Sequence, residues 1–268
     1  MRGAGGSFGI VTAFEFNTHA APSSLVHGQY AYNDLSPSAV NSLLSTYQTF
    51  SSSSSLPAAL GITLNIFKGS KANTLSLSFT VTYLGTQQEF TNVIQGLFSK
   101  LPTPSSKKVT SQNWPATLQL LAGNQNLNTT IAQYNYDTFY AKSIMTPSNT
   151  PLSTASIDSW TKYLTTTGYQ SRTNWFIQVE LYGGANSAIN AVKPQDTAFV
   201  HRSSLFTIQF YASSSNCELI NSLCAVRLEE HRQVMLIHTD TGDRRPAVPT
   251  RRYQLRQRNG DFARQPNG

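Results

Sequence analysis

The stretch NWFIQVELYGG sets an amide, Gln178, and a carboxylate, Glu180, two residues apart. In an extended strand that spacing puts Phe176, Gln178 and Glu180 on one face and Trp175, Ile177, Val179 and Leu181 on the other. A Gln and a Glu on a sheet surface are ordinarily just solvated. The remaining polar strand faces of this chain carry Ser and Thr, however, so this pair stands apart. A second stretch, LFTIQFYA, repeats the design, with Phe206 and Ile208 alternating with Leu205, Thr207 and Gln209. If Gln178 and Gln209 lie on adjacent strands and face the same way, they form an amide-lined wall. Amides donate and accept hydrogen bonds as sugar hydroxyls do, so such a wall suits a polyhydroxylated ligand.

Two further stretches invite chemistry. RGAGGSFG, from Arg2 to Gly9, is not the dinucleotide fingerprint, because Phe8 stands where Gly is needed and no strand precedes it in this sequence. No Lys-Ser/Thr follows the glycines, so it is not a phosphate loop either. On its residues alone it reads as a structural turn, with a ligand-cradling backbone as the alternative. The His201-Arg202 pair in TAFVHRSSLF reads as structural, in a turn before a strand. No second His, Asp or Cys stands at metal-ligand spacing, and no Ser-His-acid set can be assembled.

These residues need elements to position them. Strands are expected at Gly9–Phe16, Leu25–Tyr32, Leu60–Phe67, Thr74–Tyr83, Thr138–Met145, Trp175–Tyr182 and Leu205–Ala212. The alternation is cleanest in Leu75, Leu77, Phe79, Val81 and Tyr83, with Ser and Thr between them, which indicates an antiparallel sheet with one face covered. Helices are expected in SPSAVNSLLSTYQTF, with Ser36 as cap and Pro37 at its first position, in TQQEFTNVIQGLFSKL, at Pro115–Ala122 and at Thr154–Thr166. Strand pairs separated by single helices give an α+β class, an antiparallel sheet with helices on one face.

At 268 residues the chain can build a sizeable core, and only 12% of it is charged. The net charge of +7 divides unevenly. Up to Asn216 there are eight Lys, three Arg and seven acidic residues; beyond it there are nine Arg, six acidic residues and no Lys. That break, with the loss of periodicity after Ser213, leads us to expect a divergent, disordered tail over 213–268. Cys217 and Cys224 both fall in it and match no metal or redox motif. The tail lacks interleaved aromatics, so nucleic-acid binding is not expected. No apolar run is long enough to span a membrane and no secretory signal precedes the first strand. Asn128-Thr129-Thr130 is an N-glycosylation sequon.

Taken together, RGAGGSFGIVTAFEFNTHAAPS resembles the end of the flavin-binding domain of fungal FAD-linked oxidases of the berberine-bridge and glucooligosaccharide oxidase type. NWFIQVELYGGANSAINAVKPQDTAFVHRSSLFTIQFYA resembles their substrate domain, and the likeness runs from Arg2 to Ala212. It implies a remnant of the FAD-binding domain at 1–20 and a substrate-binding domain at 21–212 built on a seven-stranded antiparallel sheet. The implied chemistry is oxidation of a sugar's anomeric hydroxyl to a lactone, with a tyrosinate taking the proton, FAD the hydride, and O₂ reduced to H₂O₂. By match, Gln178, Gln209 and Phe176 would bind substrate, and Glu180 would stand where such oxidases often carry an Asp that helps activate the tyrosine. Gly5, Gly6, Ser7, Phe8 and Gly9 would approach FAD through their backbone. Neither Cys217 nor Cys224 matches the Cys that, with a His, tethers FAD in this family, and Tyr253 does not match the catalytic tyrosine. The resemblance therefore implies a chain truncated at both ends and inactive alone, from an extracellular enzyme acting on an oligosaccharide or another small alcohol. The alternatives are an oxidase of a non-sugar secondary metabolite and a non-catalytic glycan-binding remnant.

Overall fold

A computed structural model describes residues 2–3, 9–124, 126–128, 130 and 139–214. Gly5, Gly6, Ser7, Phe8, Cys217, Cys224, Tyr253 and the tail from 215 onward lie outside the described residues, as does Thr138.

Seven strands form one antiparallel sheet: β1 (Leu25–Leu35), β2 (Leu60–Lys68), β3 (Leu75–Leu84), β4 (Ser106–Gln112), β5 (Phe139–Pro147), β6 (Asn174–Leu181) and β7 (Ser204–Ser213), in the order β4-β1-β3-β2-β6-β7-β5. Among the described residues five helices accompany them: α1 (Pro37–Ser51), α2 (Gln87–Phe98), α3 (Trp114–Leu121), α4 (Thr154–Tyr163) and the single turn α5 (Ala188–Ala191). A π-helical turn at Leu164–Gly168 extends α4. The α+β class expected from the sequence is the observed one.

The helix starts follow their caps. Ser36 accepts a hydrogen bond from the Ala39 N–H with Pro37 behind it, and Asn113 and Ser153 cap α3 and α4 in the same way. At α2, Thr86 and Glu89 form a reciprocal capping box, the Glu89 carboxylate accepting from the Thr86 N–H at 2.8 Å.

The core lies on one face of the sheet. Leu75, Leu77, Phe79 and Val81 of β3, Leu64 and Ile66 of β2, and Ile177 and Val179 of β6 are all buried there with Val40, Leu43 and Tyr47 of α1 and Phe90, Ile94 and Leu97 of α2. Tyr47 joins the helix layer to a seam of the sheet. Its hydroxyl donates toward the Ile62 carbonyl at 3.3 Å and the Val179 carbonyl at 3.4 Å, on β2 and β6. Asp34, at positive φ, pins the β2–β3 turn by accepting from the Ser70 N–H and the Ser70 hydroxyl, both at 2.6 Å.

Two expectations are corrected. Residues 9–16 form no strand. Ile10, Phe14 and Phe16 are 94%, 71% and 75% exposed, and an alternating segment without a pairing partner cannot satisfy its backbone as a strand. The seventh strand is instead β4, SKKVTSQ, which carries one apolar side chain, Val109, and no readable alternation. It is an edge strand paired only with β1, and Lys107 and Lys108 suit an edge exposed to water.

Two outcomes follow. Tyr47→Phe keeps the ring and removes the donor to the seam, so it should lower unfolding free energy by about 1–2 kcal/mol in urea denaturation. His27 of β1 is 4% exposed and touches the Thr82 hydroxyl at 3.3 Å; burial first, and Lys108 second, hold its pKa below the ordinary 6.5. The unfolded chain therefore binds a proton that the folded chain resists. Stability is full above about pH 6.5 and declines as the pH falls below it, before the downshifted carboxylates of Asp34 and Glu89 add their own loss at lower pH. His27→Gln should flatten the change in urea midpoint between about pH 7.5 and about pH 5.5.

Candidate functional site

The face opposite the core is covered at one end and open at the other. Leu25 and His27, which share that face by parity, are buried where α3 contacts β1. Across β2, β6, β5 and the part of β7 beyond Leu205, the same face carries half-buried and exposed side chains.

The strand register settles the question of the glutamines. Gln178 of β6 stands directly opposite Gln209 of β7, so their side chains emerge side by side on the open face. Glu180 stands opposite Thr207 on one side and Thr63 of β2 on the other. Neither glutamine nor Glu180 spends its side chain on a hydrogen bond to another described residue, and all three are half-buried. Such groups remain available for hydroxyl partners.

Phe176 lies one pair along the same strands, and it is not alone. It faces Tyr211 of β7 with ring centroids 4.6 Å apart and Phe67 of β2 at 6.3 Å, while Phe139 of β5 stacks on the far side of Tyr211 at 5.2 Å. The four rings cross four strands in one band beside the glutamines. Of the four rings, only Phe176 stands out in the sequence. Phe67 and Tyr211 carry the same strand parity as the glutamines' neighbours, but only knowledge of which strands adjoin brings them together.

Glu180 also acts through the sheet, its charge helping to raise the pKa of Tyr47 beneath it. Burial is the larger cause, and Tyr47 is a structural phenol in the core rather than a base for the open face.

The end of β6 is locked against β7. The Tyr182 and Gly183 N–H groups both donate to the Leu205 carbonyl at 2.9 Å, and a side chain at Gly183 would collide with the Ser204 carbonyl. The loop entering β7 is held by Arg202, which donates to the Phe199 and Ile189 carbonyls and the Thr197 hydroxyl and lies 4.9 Å over the Phe199 ring. That is the structural role expected for the His201-Arg202 pair. The start of the chain docks on this loop: the Ala198 N–H donates to the Arg2 carbonyl at 3.0 Å, and a Cβ at Gly3 would sit 2.7 Å from the Phe199 nitrogen. Of the residues matched to FAD, Gly9 alone is described. It has positive φ, and among the described residues nothing lies within 4 Å of the place a Cβ would take.

Among the described residues there is no group of three His, Cys, Asp or Glu side chains placed to hold a metal ion, and no helix long and apolar enough to cross a membrane.

No protein-family model matches the sequence. Among curated proteins, the chain is 32% identical over 215 residues to a chitooligosaccharide oxidase of Gibberella zeae, covering 80% of this chain and 41% of that protein. It is 29% identical over 218 residues to a glucooligosaccharide oxidase of Sarocladium strictum, again over 80% of this chain and 41% of the relative. Among solved structures, a chitooligosaccharide oxidase superposes with a TM-score of 0.71 at 26% identity, over 85% of this chain and 46% of that one. The chain thus spans about two fifths of the length of the curated relatives it matches. Across four fifths of its own length, the chain is similar in sequence to curated chitooligosaccharide and glucooligosaccharide oxidases, and it shares its fold with a solved chitooligosaccharide oxidase.

Proposed function

We propose that residues 21–212 are the substrate-binding domain, and residues 1–20 the end of the flavin-binding domain, of an FAD-dependent oxidase that converts the anomeric hydroxyl of an oligosaccharide to a lactone. One observation carries this reading: Gln178 and Gln209 are direct partners on an open face, with Glu180 beside them and an aromatic band alongside.

The chemistry divides by residue type. The two amides donate to and accept from vicinal hydroxyls and so fix the rotation of a pyranose ring. Phe176 with Tyr211 supplies an apolar border for the ring's C–H edges. Glu180 accepts a hydrogen bond from a sugar hydroxyl or, in the role carried over by resemblance, orients the phenol that takes the hydroxyl proton. The backbone at Gly5, Gly6, Ser7, Phe8 and Gly9 would border the flavin. Bound FAD would supply the hydride acceptor, with molecular oxygen as the final oxidant. An extracellular setting accords with the exposed sequon, in which the Asn128 side-chain carbonyl accepts from the Thr130 hydroxyl at 2.7 Å.

Titration calorimetry of the purified chain with β-linked gluco- and chitooligosaccharides tests the reading. Wild type should bind, and Gln178→Leu with Gln209→Leu should weaken binding by roughly a hundredfold, the effect of two lost hydrogen-bonding groups. Equal binding by the double variant would contradict the sugar-reading wall, and no binding by wild type would favour a non-sugar alcohol.

A further inference from the structure

The amide row does not stop at the two glutamines. Asn65 of β2 stands directly opposite Gln178, so Asn65, Gln178 and Gln209 form one line across three adjacent strands. Ser78 of β3 continues the line beyond Asn65 and Ser143 of β5 beyond Gln209. Every side chain in it is polar and uncharged. On one flank runs the aromatic band of Phe67, Phe176 and Tyr211, and on the other Thr63, Glu180 and Thr207.

Asn65 has no local reason to be where it is. Asn is disfavoured in strand interiors, where β-branched and aromatic residues fit the pleated surface better. Here it occupies the middle of β2, half-buried, with no turn or cap to make. Its amide makes no hydrogen bond to another described residue. A Thr, as at position 63 of the same strand and face, would serve the sheet better.

We propose, building on the reading above, that Asn65 is a further specificity-determining residue. It is the third amide of a row that recognises an extended, uncharged β-linked oligosaccharide lying across β7, β6 and β2. Adjacent strands stand about 4.8 Å apart, so the three amides repeat at a step that matches one pyranose unit of an extended β-1,4-linked chain. Gln209 and Gln178 serve two consecutive units, and Asn65 serves the third. The uncharged row favours neutral sugars, and the aromatic flank borders the C–H edges of the same rings.

The test is calorimetric titration of the whole chain with β-1,4-linked ligands of two, three and four units, for wild type, Asn65→Thr, Asn65→Ser and Gln178→Leu. Thr is a good strand former, so Asn65→Thr should fold, and a thermal melt checks each variant. Wild type should gain affinity from two units to three. Both Asn65 variants should lose that gain, a weakening of roughly tenfold for the three-unit ligand with the two-unit ligand unchanged. If wild type binds and Gln178→Leu does not, while the Asn65 variants match wild type at every length, the role of Asn65 is overturned and the glutamine wall stands. If wild type binds no oligosaccharide, the wall and the Asn65 role are overturned together.

Discussion

The side-chain period of a strand is two, and the register of β6 between β2 and β7 is therefore the constraint on which the site depends. In the observed register Ile177 and Val179 enter the core while Gln178 and Glu180 leave it. A slip by one residue would bury an amide and a carboxylate without partners, at a cost of several kcal/mol, and would expose the apolar set. Core formation and site formation are thus one event on this strand. The same register aligns Asn65, Gln178 and Gln209 in one row and Phe67, Phe176 and Tyr211 in the next.

Several separate contacts keep that register and the face rigid. Tyr47 reaches from α1 to carbonyls of both β2 and β6, and its burial removes water from the seam they share. The paired donors at Tyr182 and Gly183 fix the end of β6 on β7, and Arg202 holds the loop from which β7 departs. Ala198 in that loop also donates to the Arg2 carbonyl, which anchors Arg2 to the segment that leads into Gln209.

Much of this was legible in the residues, for physical reasons. The strict alternation of β3, and that of β6 and β7, follows from burying one face only, and caps such as Ser36 and Thr86 mark helix starts because they satisfy orphan N–H groups. The side-by-side placement of the glutamines requires adjacent strands, and the observed register supplies them. What escaped was decided by partners rather than by local pattern. Residues 9–16 alternate but pair with nothing described, whereas β4 has no alternation and is a strand because β1 recruits it. Asn65, Phe67, Tyr211 and Phe139 carry no local signal because their significance lies across strands, in partners as distant in the chain as Gln178, which is 113 positions from Asn65. Only pairing reveals them.

The central claim is that the open face of β7, β6 and β2 is the surface that meets the sugar. Side-chain amide resonances report on it directly, because each of its amides has its own N–H₂ signal. Titration of the ¹⁵N-labelled chain with a β-1,4-linked tetrasaccharide should shift the Gln178 and Gln209 side-chain signals in a saturable manner while that of Asn41, in the helix layer, stays fixed. Shifts confined to the helix layer, or none at saturating sugar, would contradict the account.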